Sequence, residues 1–158
     1  MTQMQARPSH LFSWDFDLYL EGEFLAGFDM SWLREGGRFT YEGREYHLAR
    51  EGFWSGDFAL TVDEGVLALA TKESAFTRRF VVRVGTRELV LEPASLFGRS
   101  FRLVENGSAV GHVLPEHWFA RACTLEFPDE LPVPVQVFLF WLVVLMWRRE
   151  ASAAAGAS

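Results

Sequence analysis

At 158 residues the chain has the length of one domain, and its content of 49% hydrophobic and 15% aromatic residues excludes a disordered or purely solvated polypeptide. The formal net charge of -6 at pH 7 argues against a long-range field that attracts phosphates, so no nucleic-acid partner is expected. A single cysteine, Cys123, excludes an internal disulfide framework and a multi-cysteine zinc site, and no metal or other cofactor is expected.

The first ten residues are polar and are not followed by an apolar segment with a small-residue cleavage site. A secretory signal is therefore not expected, and a cytoplasmic location is predicted. We expect residues 1–10 to form a flexible N-terminus outside the domain. Of the 15 basic residues only Lys72 is a lysine, a bias that is typical of GC-rich bacterial genomes.

From residue 12 to residue 127 apolar and polar residues alternate in short runs, which is the pattern of half-buried β-strands. Phe16 and Leu18, for example, face one way, and Asp15 and Asp17 face the other. About eleven strands are predicted, near residues 12–20, 23–30, 37–42, 45–50, 57–63, 66–71, 79–84, 87–92, 99–105, 108–114 and 121–127.

The chain also resembles itself at an offset of 43 residues, which indicates an internal repeat. Arg44-Glu45 corresponds to Arg87-Glu88, and Phe76 corresponds to Phe119. A shorter copy near the N-terminus indicates a third unit. Short glycine turns such as Asn106-Gly107 join the strands, and no segment is long enough for a helical crossover. The sequence therefore predicts an antiparallel meander of repeated units.

A segment without this alternation follows residue 127 and predicts a helix from about Pro134 to Arg149. Gln136 is its only polar side chain before Arg148, so the helix must be buried on all sides, in protein or in lipid. In the first interpretation it fills a closed barrel, with a core formed by Val137, Phe138, Phe140, Trp141, Val144 and Leu145. In the second it anchors the protein to a membrane, although spanning a bilayer takes roughly 20 apolar residues. Residues 150–158 are expected to form a disordered tail.

These features resemble the tubby C-terminal-like superfamily, which includes the plant LURP-one-related proteins and the phospholipid scramblases. The resemblance is carried by a spacing of roughly twelve strands from Leu11 to Phe127, the strand openings 44–48 and 87–91, and the hydrophobic helix 133–147. It implies a mainly β fold, a closed antiparallel barrel of about 11–12 strands in repeated units around a central C-terminal helix, over residues 11–149. The basic phosphoinositide site of tubby proteins and the calcium-binding segment of scramblases have no counterpart here.

Candidate binding residues come from the second half of the chain, where the basic residues lie. Strand alternation places Arg79, Arg83 and Arg87 on one side, where guanidinium groups would bind a phosphate or a partner carboxylate. The alternative is an outer barrel face on which they pair with glutamates. His117 and Trp118, at a corner between strands, are further candidates. The other members of the basic set are Arg78, Arg99, Arg102 and Arg121.

The sequence contains no nucleophile elbow, phosphate-binding glycine loop or dinucleotide fingerprint. It therefore favours a non-enzymatic binding or interaction module whose partner is an unknown protein, small molecule or lipid. The alternative is a membrane-associated, phospholipid-binding or scramblase-like protein that uses the C-terminal helix as an anchor.

Overall fold

The computed structural model describes residues 1–10, 13–30, 36–51, 56–74, 77–117 and 120–156. These residues form twelve β-strands and one α-helix. The elements are β1 (Thr2–Pro8), β2 (Phe16–Leu20), β3 (Glu23–Met30), β4 (Gly37–Tyr41), β5 (Arg44–Glu51), β6 (Asp57–Val62), β7 (Gly65–Lys72), β8 (Phe80–Val84), β9 (Arg87–Pro93), β10 (Phe101–Glu105), β11 (Ser108–Pro115), β12 (Cys123–Phe127) and α1 (Val133–Gly156).

Each strand pairs antiparallel with its neighbours along the chain, and the sheet closes because β1 pairs with both β2 and β12. The predicted closed antiparallel barrel is confirmed. The expectation of a flexible N-terminus is wrong, because residues 2–8 form the closing strand. Met4 and Ala6 point inward and are fully buried. Without β1, the edges of β2 and β12 would carry unpaired backbone groups.

The centre of the barrel is filled by α1. Its residues from Pro134 to Arg148 are all buried, including the six that the sequence marked as core. Phe140 contacts the ring of Phe16 at 5.1 Å between centroids, and Trp141 contacts Phe58 at 5.4 Å, so the helix packs against inward-facing residues of β2 and β6. Among the described residues no helix is both long and apolar enough to cross a membrane.

The two ends of α1 are held differently. At its start the carbonyl of Pro132 accepts hydrogen bonds from the backbone N–H groups of Val135 and Gln136, and the Gln136 amide donates to the carbonyl of Leu131 at 2.8 Å. At its end the helix continues through residues 150–156, which are exposed, so the expectation of a disordered tail is wrong for this stretch. The alanine-rich sequence explains the extension, since alanine has the highest helix propensity.

The internal repeat corresponds to three units of four strands each, β1–β4, β5–β8 and β9–β12. Strands β7 and β11 begin 43 residues apart and have the same burial pattern. The register of strand pairing shifts at one equivalent place in each unit, after Leu18, Leu60 and Leu103. Because a bulge bends a strand and increases its twist, the three shifts place equivalent bends around the barrel.

Gly111, opposite the third of these shifts, is expected to tolerate no side chain. A Cβ at this position would lie 2.7 Å from the carbonyl oxygen of Glu126 and 2.9 Å from Cδ1 of Phe127. Gly111→Ala should therefore lower the free energy of unfolding by about 1–3 kcal/mol, measured by urea denaturation. Gly65→Ala is the matched control, because its Cβ would meet nothing closer than 3.7 Å. Equal losses in the two variants would contradict the steric explanation.

Candidate functional site at the loop end of the barrel

The two ends of the barrel differ in the length of their connections. At one end, here called the turn end, two-residue turns join β2 to β3, β4 to β5, β6 to β7, β8 to β9 and β10 to β11. At the other, here called the loop end, the connections are five to seven residues long and α1 emerges. The turns are short because residues such as Glu42, Gly43, Asn106 and Gly107 adopt positive φ angles.

Charge is distributed unevenly between these ends. In the two-residue turns and in residues 128–132 before α1 the structure describes six carboxylates and no basic side chain: Glu21, Glu42, Asp63, Glu64, Asp129 and Glu130. At the loop end the described connections and the last core turn of α1 carry six guanidinium groups, Arg78, Arg79, Arg99, Arg121, Arg148 and Arg149, against three carboxylates, Asp15, Glu73 and Glu116. Among these described segments the net charge is positive at the loop end and negative at the turn end, so the loop end attracts anions more strongly than the turn end.

Arg99, in the connection between β9 and β10, is held firmly at this end. Its Nη1 donates a hydrogen bond to the carbonyl of Ala120 at 2.5 Å. Its guanidinium lies 4.5 Å from the ring centroid of Trp147, near the end of the buried part of α1, and the indole Nε1 donates to the Arg99 carbonyl at 3.1 Å. Burial lowers the pKa of Arg99 below its usual value, and the nearby positive charge of Arg121 adds to that effect.

Arg121, in the connection between β11 and β12, is held in the same manner. Its Nη1 donates to the carbonyl of Ser13 at 2.6 Å, and its guanidinium lies 4.3 Å from the ring centroid of Trp14. Each of the two arginines is thus fixed by one main-chain carbonyl and one indole face. Such stacking orients a guanidinium without neutralising its charge.

A cavity of about 450 Å³ lies next to Arg99, between the β9–β10 and β11–β12 connections. Its described lining consists of Gly98, Arg99, Ser100, Pro115 and His117. In the same β9–β10 connection the side chains of Leu96 and Phe97 are 91% and 88% exposed. The cavity therefore combines a fixed positive charge with two polar side chains, and exposed apolar groups lie nearby in the same connection.

No protein family, no characterised protein and no solved structure matches this chain. The site is therefore interpreted from its own geometry.

The arginines chosen from strand alternation form ion pairs with glutamates. Arg87 makes a two-pronged contact with Glu105, both N–O distances being 2.9 Å, and this pair lowers the pKa of the Glu105 carboxyl. Arg83 lies 3.4 Å from Glu88. Arg79 contacts carboxylates of Glu92 and Glu73 at 3.5 and 3.7 Å.

The structure does not bring all the sequence-predicted candidates together. His117 lines the loop-end cavity, whereas Arg87 begins β9 at the turn end. Trp118, together with Trp32 and Trp54, lies outside the described residues.

Sequence reasoning included Arg99 and Arg121 in the basic set but did not select them as site residues. One available signal was the absence of acidic residues from the connection 94–100, which leaves Arg99 without a carboxylate nearby in the chain. The indole contacts could not be foreseen, because Trp14 and Trp147 are distant from these arginines in the sequence.

Cys123 lies on β12 at the position that Phe80 takes in the preceding unit, and both side chains are buried. Burial raises the pKa of the Cys123 thiol well above its usual value, so it stays protonated as a core residue. Among the described residues no three histidine, cysteine or acidic side chains are grouped as metal ligands would be.

Proposed function

We propose that the protein is a non-enzymatic binding module, tubby-like in architecture, that binds its ligand at the loop end of the barrel. The observation that carries the proposal is a pair of fixed guanidinium groups: Arg99 lines the cavity and bonds the carbonyl of Ala120, and Arg121 is the next residue in the chain. Guanidinium groups stay protonated and exchange no protons at neutral pH, so they suit binding better than acid–base chemistry.

The filled interior of the barrel supports the same location. Because α1 occupies the centre, a ligand has to bind from outside, on the wall or at an end. On the wall Arg83, Arg87 and Arg102 pair with glutamates, and the described segments of the turn end are acidic. The loop end therefore offers the best surface for an anionic ligand.

A panel of phosphorylated, carboxylated and uncharged small molecules, measured by thermal shift, tests this proposal. A ligand at a hundredfold excess over its dissociation constant should raise the melting temperature by about 5 °C or more. Phe97→Asp should weaken that stabilisation by adding a negative charge to the loop end. Phe24→Asp is the matched control, because Phe24 is also exposed but lies at the start of β3 at the turn end.

Two outcomes would contradict the proposal. One is a ligand that stabilises both variants and the wild type equally. The other is a ligand whose protection from hydrogen exchange maps to the turn end.

A second candidate function is association with a lipid surface through the loop end rather than through α1. The exposure of Leu96 and Phe97 favours it, since exposed apolar groups beside positive charge suit an anionic membrane. It predicts that the wild type and Phe24→Asp co-sediment with vesicles that contain anionic lipid, whereas Phe97→Asp stays in the supernatant. Equal sedimentation of the two variants would contradict it.

A further inference from the structure

The arginines of the loop end do not all have the same kind of partner. Arg78 contacts the carboxylate of Glu150, and Arg79 contacts those of Glu73 and Glu92. For Arg99 and Arg121, in contrast, no carboxylate among the described residues lies within ion-pair distance. Instead, each of these two arginines is held by a main-chain carbonyl and an indole ring, and neither contact carries a negative charge.

Among the described residues, most N–H donors of these two guanidinium groups have no protein acceptor. A guanidinium has five N–H donors, and the described hydrogen bond of each arginine uses one of them. The two positive charges also oppose each other: besides burial, Arg121 makes the protonated form of Arg99 less favourable, and the more remote carboxylate of Glu150 acts in the opposite direction. A bound anion would offset that repulsion and accept the remaining hydrogen bonds.

Building on the proposed function, we propose that Arg99 and Arg121 form a phosphate-binding site, in which the phosphate group of a ligand enters through the cavity beside Arg99. A carboxylate has two oxygens, which a single guanidinium fork already satisfies, whereas a phosphate has enough oxygens for two forks. Ser100 and His117 line the same cavity and supply further polar groups. The phosphate belongs either to a soluble phosphomonoester or to a lipid headgroup.

The first test uses the full chain and inorganic phosphate. Side-chain Nε–Hε signals of the arginines are followed by NMR during a titration, with potassium chloride at equal ionic strength as the reference. The signals of Arg99 and Arg121 should shift to saturation in the millimolar range. Equal shifts with chloride, or shifts spread evenly over all arginines, would show only screening and overturn the proposal.

Substitutions provide the second test. Arg99→Gln and Arg121→Gln should each weaken phosphate binding by about tenfold or more, because each removes one charged fork. Arg44→Gln is the charge-matched control, since Arg44 is exposed and pairs with Asp63 near the turn end. Equal weakening in all three variants would overturn the site. If Arg99→Gln does not fold, the wild-type titration and the affinity of Arg121→Gln for phosphate still test whether the site exists.

A third experiment distinguishes the two sources of phosphate. Glycerol 3-phosphate serves as the soluble ester, and phosphatidylcholine vesicles with and without phosphatidate serve as the lipid. Binding of either probe that is lost in Arg121→Gln supports the site and identifies its source. Binding of neither overturns it. If the small-molecule panel finds a ligand sensitive to Phe97→Asp while all phosphate probes fail, this inference is wrong and the loop-end proposal stands.

Discussion

A chain that ends at Glu130 is expected to lose cooperative folding, because it lacks α1. The inward-facing rings of Phe16, Phe58 and Phe80 would then line a cavity open to water. Burying one large apolar side chain contributes about 1.5–3 kcal/mol, and a whole domain is stable by only about 5–15 kcal/mol. The free energy lost when all the buried side chains of α1 are removed therefore exceeds the free energy of unfolding of the domain. Near-UV circular dichroism and the dispersion of amide NMR signals measure the loss.

A chain that ends at Glu150 is the control for this truncation. It retains every buried residue of α1 and removes the exposed end of the helix. Its melting temperature should stay within a few degrees of the full chain. A well-dispersed monomeric spectrum from the chain ending at Glu130 would show that the barrel folds without its central helix. The structural role given to α1 would then be wrong.

The barrel could be predicted because its determinants are local. Alternation of apolar residues marks a strand wherever one face is buried, and glycine marks a tight turn. Strand β1 was missed because its inward-facing residues, Met4 and Ala6, are few and lie between polar residues, so their alternation is weak. What makes this segment a strand is the pair of free edges on β2 and β12, and these exist only once the other strands are in place.

The site was harder to predict because it depends on pairing across strands and connections. Alternation correctly places Arg83 and Arg87 away from the core, but it does not show that Glu88 lies opposite Arg83 or that the side chain of Glu105 reaches Arg87. Arg121 meets Trp14 across most of the length of the chain, because the sheet closes between the last and first strands. The contacts that fix Arg121 are thus formed only when the barrel closes.

Closure also relates the three units to one another. Arg121 and Arg78 occupy equivalent positions, 43 residues apart, and each guanidinium lies over an aromatic ring, that of Trp14 for Arg121 and that of Phe101 for Arg78. The same position in two units has therefore acquired different partners. Arg78 contacts Glu150, just after the buried part of α1, whereas Arg121 has no described carboxylate partner. A scaffold of repeated units thus carries the proposed binding site on one side of its loop end.

Trp141→Ala is expected to have the largest effect of any single substitution in the core, lowering the free energy of unfolding by about 3–5 kcal/mol. Trp141 is fully buried at the centre of α1. Its ring meets that of Phe58 edge-on at 5.4 Å and stacks with that of Phe138 at 6.3 Å. Truncation would remove these contacts and leave a cavity that a closed barrel cannot collapse to fill, because its strands are fixed by pairing on both sides.

Trp141→Phe tests how much of the effect at this position comes from lost volume and how much from the buried indole N–H group. The indole Nε1 is buried and has no acceptor among the described residues, and an unsatisfied donor costs about 1–3 kcal/mol. Phenylalanine removes that donor together with part of the volume, so the two effects oppose each other and the net loss should stay below about 1.5 kcal/mol. Urea denaturation of both variants measures the difference. If Trp141→Phe proved as destabilising as Trp141→Ala, the indole N–H would have to be bonded, and the filling of the barrel would depend on a polar contact as well as on volume.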